Sequence, residues 1–241
     1  MKVAVLNFTG TVGKTTLAVN LLAPRMPGAQ IIAIETINET AATNGLDVEK
    51  MRGDRFQALF KKLITSDNAI VDVGASNIEG FLKGLTAFAD SQVEIDYFLV
   101  PVTSGTKEQM ETISLIKTLS KLAVASERIR IVFNRVENSV VDEFAAILGF
   151  ARQERCCVAD ARAAVFENEL FDMMTRKKTS IEALVSDNTD YKSKIRGLRG
   201  EEHAAELSQY TDLHVMKSLA KGVTSNLDRV FAVLFDKEQV A

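Results

Sequence analysis

Apolar residues recur along this chain in two alternating rhythms. Short runs rich in β-branched residues fall at Val3–Asn7, Gln30–Ile34, Ala69–Val73, Tyr97–Pro101 and Arg130–Asn134, and these read as strands. Between them lie Lys14–Leu22, Asp47–Thr65, Asn77–Ala89, Lys107–Leu122 and Val140–Arg152. Their apolar positions return every three or four residues, as at Phe56, Leu59, Phe60 and Leu63, which is helical spacing. Ile31–Ile34 is apolar throughout, so that strand is expected to be buried on both faces, as in a parallel sheet covered by helices. The alternation predicts an α/β fold with a doubly wound, mainly parallel sheet flanked by helices.

After about residue 160 the strand signal fades. Ala161–Lys178, Ile181–Val185, Glu201–Gln209 and His214–Phe235 read as helices, and Cys156–Ala159 is a candidate sixth strand. The expected organisation is a core over residues 1–160 and a helical C-terminal extension over 161–241. The extension's apolar Val230, Phe231, Val233, Leu234 and Phe235 are expected to pack on that core within the same domain. Ser186–Gly200 carries Lys192, Lys194, Arg196 and Arg199 among polar residues and two glycines, and is expected to be mobile.

Composition narrows the class without naming a function. With 46% hydrophobic and 25% charged residues among 241, the chain has enough apolar surface for a packed core and is not expected to be disordered. The net charge of −3 supplies no overall basic field, so any contact with nucleic acid needs a local patch or a partner. The two cysteines, Cys156 and Cys157, are adjacent, which disfavours a bridge between them and fits a reducing compartment. The first apolar run ends at Thr9-Gly10, too early for a signal-peptide core, and none approaches the roughly 20 residues of a membrane span. A cytoplasmic location is expected.

The first strand runs into Phe8-Thr9-Gly10-Thr11-Val12-Gly13-Lys14-Thr15-Thr16, followed by apolar Leu17–Leu22. Strand, glycine turn and helix in that order make an anion cradle: Gly10 and Gly13 allow the backbone to curl, and its N–H groups converge with the positive end of the helix. Lys14 is placed to reach the terminal phosphates and the Thr15 hydroxyl to coordinate Mg²⁺, as the Gly-Lys-Thr part of a phosphate loop requires. Thr16 is expected near the α-phosphate. The pattern is incomplete, because the first glycine of G-x-x-x-x-G-K-[ST] falls on Phe8.

Thr9–Thr16 resembles the deviant Walker A loop K-G-G-V-G-K-T-T of the ParA/MinD-type ATPases, and the likeness to that class spans about residues 1–150. More narrowly, residues 1–26 resemble plasmid stabilisation proteins of the StbB type. The resemblance implies a P-loop switch that binds ATP and ADP with Mg²⁺, forms a homodimer when ATP-bound, and works with a plasmid-encoded DNA-binding partner. Its implied task lies in plasmid partition, stability or conjugative transfer. In such proteins the lysine of K-G-G reaches the partner subunit's nucleotide; here Thr9 stands at that position and Thr11 replaces the second glycine. A threonine brings no positive charge to phosphate oxygens, so slow hydrolysis is expected. Arg25, or an arginine of the C-terminal helices, is a candidate replacement.

Asp72 ends the apolar run Ala69–Val73, where a Walker-B-type carboxylate meets Mg²⁺ directly or through water. An aspartate at a strand end is also a common turn residue, and it is the pairing with Lys14 and Thr15 that favours a metal site. After the second strand, Glu35 aligns with the first acid of the aspartate-x-aspartate pair of the similar ATPases, and Ile37 occupies the second position. Glu39 reads as an exposed loop acid. Asn134 resembles the strand-end asparagine that recognises adenine, offering a donor and an acceptor, with capping as the competing reading. The Pro101–Ser104 turn lies at the same sheet edge, where open α/β folds bind ligands.

The catalytic residues expected are thus Lys14 and Asp72. The nucleotide-binding set is Gly10, Thr11, Val12, Gly13, Lys14, Thr15, Thr16 and Asn134, and the metal ligands are Thr15 and Asp72. His203 and His214 have no companions at zinc-ligand spacing. Arg176–Lys178 and the Lys192–Arg199 cluster are candidates for direct, sequence-independent DNA contact. An alternative to the ATPase switch is a nucleotide-sensing adaptor with little or no turnover.

Overall fold

The computed structural model describes residues 1–35, 48–51, 55–198 and 201–236. Among these, seven strands form one sheet in the order β3-β2-β4-β1-β5-β6-β7. They are β1 (Lys2–Val5), β2 (Gln30–Ile34), β3 (Val48–Met51), β4 (Ala69–Val73), β5 (Tyr97–Val102), β6 (Ile129–Val136) and β7 (Ala164–Phe166). Every neighbouring pair is parallel. The inner strands β1, β4 and β5 are buried along nearly their whole length, which explains why both residues of each alternating pair are apolar.

The chain leaves β1 for one side of the sheet, where β2, β3 and β4 lie, and then crosses to β5, β6 and β7 on the other. The switch falls at β1, so the carboxyl ends of β4, β1 and β5 open onto the crevice where doubly wound sheets bind ligands. β5 carries Pro101, which has no N–H for the sheet ladder. Its pairing with β1 stops at Leu99, and beyond that point the Asn7 side chain donates to the Pro101 carbonyl at 2.8 Å. A side-chain amide thus takes over where the strand ladder ends.

The crossover helices include α1 (Lys14–Leu17), α2 (Phe56–Thr65), α3 (Ile78–Ala87), α4 (Thr106–Lys121), α5 (Val140–Glu143) and α6 (Ala145–Glu154). The α2 face of Phe56, Leu59 and Leu63 is buried. Phe56 lies edge-on to Phe81 at 5.8 Å and near Phe88 at 5.5 Å. This approach needs Gly84 on α3, because any side chain there would run into the Phe56 ring. After α1 the helix widens into a π-type stretch over Ala18–Leu22 and tightens over Ala23–Arg25.

Several elements differ from the sequence reading. The expected helix Asp47–Thr65 is divided: Val48–Met51 is the edge strand β3, paired with Ile31–Ile34, and the helix starts at Phe56. Within the expected helix Ala161–Lys178, Ala164–Phe166 is the edge strand β7 and the helix α7 covers Leu170–Lys177. Of the Cys156–Ala159 run only Val158 joins the sheet, through a single bridge to Arg130. The two expected terminal helices are one, α10 (Ala204–Phe235).

Two compact units divide the chain, Met1–Glu167 with Arg229–Ala241, and Asn168–Asp228. The second comprises α7, α8 (Ile181–Ser186), α9 (Tyr191–Gly197) and most of α10. In it, the segment expected to be mobile holds α9, whose N-cap Asp190 accepts from the Ser193 N–H. Tyr191 donates to Asp187 at 2.6 Å and lies tilted against Tyr210 at 5.8 Å, while Lys194 lies over the Tyr210 ring and Lys217 over the Tyr191 ring. Among the described residues no helix is long and apolar enough to cross a membrane.

Candidate functional site

The loop after β1 is shaped by one residue in a left-handed conformation. Gly13 has φ 84° and caps α1, a backbone state that side chains disfavour. Gly10, also expected to serve this purpose, is not among the glycines with positive φ and lies beside the Ala75 side chain. The first helical bond runs from Leu17 N–H to Gly13 C=O at 3.0 Å. The N–H groups of Lys14, Thr15 and Thr16 therefore precede the intrahelical ladder, as in any helix start.

Lys14 is buried to 5% exposure, and its ammonium folds back to donate to the Thr9 carbonyl at 2.6 Å. This charge-assisted hydrogen bond holds the buried ammonium against the inner rim of the loop. Thr15, at the mouth of the loop, donates its hydroxyl to Asp72 Oδ2 at 2.6 Å. Asp72 is 4% exposed, and its Oδ1 has no hydrogen-bond partner among the described residues. Burial raises its carboxyl above the usual range, opposed by the Thr15 hydrogen bond and the Lys14 charge. A buried carboxylate oxygen without a donor is costly unless a cation meets it. Thr15 and Asp72 therefore fit a hard divalent ion with oxygen ligands.

Gly74, directly after β4, donates its N–H to the Ile34 carbonyl at 2.9 Å. A Cβ there would stand 3.0 Å from the same carbonyl, so glycine allows the two strand ends to close together. Glu35 lies beside Gly74 and donates its N–H to Met51 C=O at 3.0 Å. Ile37 and Glu39 lie outside the described residues.

Asn134, near the end of β6, is 5% exposed and donates through Nδ2 to the Val12 carbonyl at 2.9 Å. The structure thus brings Val12, Gly13, Lys14, Thr15, Asp72 and Asn134 to one edge of the sheet. Thr11 and Gly10 are on the exposed crest of the loop, and Thr16 is half-buried with its carbonyl accepting from Asn20. The Arg25 guanidinium donates to the Asn20 and Leu21 carbonyls at the end of its own helix.

Sequence reasoning missed three residues of the site. Asn7 donates to Thr112 Oγ1 at 2.7 Å and accepts the Thr9 N–H at 3.0 Å. Glu111 accepts the Thr9 hydroxyl and pairs with Lys107 at 3.7 Å. Through Glu111 and Thr112, α4 grips the start of the loop after β1. A buried asparagine ending an apolar strand was a usable signal for Asn7. Glu111 and Thr112 carry none, because their partners lie about a hundred residues away in sequence.

Among the described residues no three His, Cys, Asp or Glu side chains form a metal-binding group. Cys157 is buried, which pushes its thiol up to about 12. It therefore stays neutral and unreactive at ordinary pH.

No family model and no curated protein sequence matches this chain. Among solved structures it is similar to a MinD cell division protein of Aquifex aeolicus, at 13% identity over 93% of this chain and 97% of that one, with a TM-score of 0.48. It is also similar to the septum site-determining protein MinD complexed with Mg-ADP from Pyrococcus horikoshii OT3, at 13% identity over 97% and 98% with a TM-score of 0.49. A third is a putative plasmid partition protein from Borrelia burgdorferi B31 bound to AMPPNP, at 11% identity over 90% and 97% with a TM-score of 0.48.

Proposed function

We propose that this chain is an ATP-dependent switch of the ParA/MinD kind, binding ATP and ADP with Mg²⁺ through the loop Gly10–Thr16. The observation that carries the reading is the hydrogen bond from Thr15 to the buried Asp72, whose second carboxylate oxygen has no hydrogen-bond partner among the described residues and lies within reach of the Lys14 charge. In this reading Lys14 contacts the β- and γ-phosphates, Thr15 and Asp72 hold Mg²⁺, and the Gly10–Thr16 backbone cradles the phosphates. Bound Mg²⁺ would neutralise charge between the β- and γ-oxygens. Asn134 faces adenine, with an acceptor to offer its amino group.

The proposed cellular role, by resemblance of residues 1–26 to StbB-type proteins, is plasmid stability, partition or conjugative transfer in the cytoplasm. The ATP-bound chain would form a homodimer and engage a plasmid-encoded DNA-binding partner. Direct non-specific DNA binding would fall to the basic clusters of the second unit. There Lys177 is already paired with Asp212 at 2.8 Å, which leaves one charge fewer for phosphate and favours the partner.

Hydrolysis is proposed to be weak. The Thr9 side chain brings no positive charge to the loop, and the group its hydroxyl contacts is the Glu111 carboxylate. The same contact supports a second reading, a nucleotide-sensing adaptor with little or no turnover. Calorimetry with Mg-ATP and phosphate release on one sample separates the two. Lys14→Ala is expected to weaken ATP roughly tenfold to a hundredfold, the worth of a hydrogen bond to a charged group, with the fold intact. Unchanged affinity in that variant would remove the basis of the assignment.

A further inference from the structure

The geometry points to Asn134 as a positioning residue that holds the phosphate loop in its binding conformation, acting on the phosphates through the Val12 carbonyl. This rests on the reading of Gly10–Thr16 as a phosphate loop and adds to it a role distinct from contact with the base.

Three observations carry it. First, Asn134 reaches across 122 residues of sequence to donate to Val12 C=O at 2.9 Å, with its side chain almost fully buried. A buried donor–acceptor pair of this kind is costly to break, since both groups are then left without water or partner. Second, the Asn134 amide occupies the space beside Gly13 where a Cβ would otherwise stand. It therefore packs against the one loop residue whose left-handed backbone turns the chain into α1. Third, the strand is bent just after it. The β6–β7 register shifts between Asn134 and Val136, and Arg135 has φ 56°. Such a bulge re-aims a neighbouring side chain, and here the exposed Arg135 is turned out towards Glu167 at 3.9 Å while Asn134 stays buried at the loop.

The consequence is a mechanical link between strand end and cradle. The N–H groups of Gly13, Lys14 and Thr15 follow directly from the peptide that Asn134 holds, so their direction depends on that hydrogen bond. A residue serving only to read a base would affect ligands that carry one. A residue holding the loop must also affect a bare polyphosphate.

The test is calorimetric titration of the full chain with Mg-ATP and with Mg-tripolyphosphate, for the unaltered protein, Asn134→Ala and Asn134→Leu. The leucine is close in size to asparagine, uncharged and without a donor for Val12, so it keeps the comparison available if the alanine variant does not fold. Both variants are expected to weaken tripolyphosphate about tenfold for one lost buried hydrogen bond, and ATP by at least that factor, because the acceptor offered to adenine is lost as well. Loss of ATP affinity with tripolyphosphate unchanged would overturn the proposal and leave a base reader. Amide exchange of residues 9–17 without ligand gives an independent readout: several-fold faster exchange in both variants is expected, and unchanged exchange overturns the proposal. If the unaltered protein binds neither ligand, the nucleotide reading fails, and the exchange result alone decides whether Asn134 holds the loop.

Discussion

Thr9 shows how one side chain sets the charge of a site. Its carbonyl receives Lys14 and its hydroxyl is given to Glu111, which is itself paired with Lys107. A lysine placed there would meet the Glu111 carboxylate before any phosphate, and an ion pair so formed holds the new ammonium back. Thr9→Lys is therefore expected to raise ATP turnover modestly, and Thr9→Lys with Glu111→Gln to raise it further. Steady-state phosphate release checks this, and a decrease in both variants contradicts the role assigned to the missing charge. Asp72 behaves differently, because burial raises its carboxyl pKa. A carboxyl shifted upward in the fold costs nothing below its unfolded value; its cost grows as pH rises from the unfolded to the folded value and is constant above that. Mg²⁺ binds the ionised form, so Mg-ATP affinity is expected to fall as pH drops through that raised value. A pH series of titrations reads it directly, with a flat profile as the contrary result.

At the scale of elements, what sequence revealed depended on how local the determinants were. The strands β2 and β4 were legible to the residue because each carries four apolar residues in five, all four buried in the sheet. The loop was legible because turn, lysine and threonine lie within a few residues of each other. The edge strands β3 and β7 were not. Val48-Glu49-Lys50-Met51 has a polar middle and Ala164–Phe166 only three residues, and each gains its identity from a single neighbour in the sheet. The α2–α3 contact was equally hidden, since Gly84 looks like a helix weakness until Phe56 is seen to fill its place. Gly84→Ala should then destabilise the fold by about 1–3 kcal/mol, as overpacking does, despite alanine's better helix propensity. Urea denaturation measures it; stabilisation would mean that Phe56 does not sit against α3.

For the whole molecule, the parallel sheet supplies a rigid edge on which β1, β4 and β6 present Lys14's loop, Asp72 and Asn134 together. The core under that edge is independent of the carboxylate, so Asp72→Asn separates stability from binding. Removing a buried charge is expected to leave the ligand-free protein as stable or more stable, by on the order of 1 kcal/mol, while the Mg²⁺-dependent part of nucleotide affinity disappears. The most direct measurement of the central claim is calorimetric titration of the unaltered chain and Asp72→Asn with ATP, each with Mg²⁺ and with chelator. Tight binding strengthened by Mg²⁺ in the unaltered chain, and no Mg²⁺ effect in the variant, is the predicted result. Absence of heat with Mg-ATP in the unaltered chain, or an equal Mg²⁺ effect in both proteins, would contradict it.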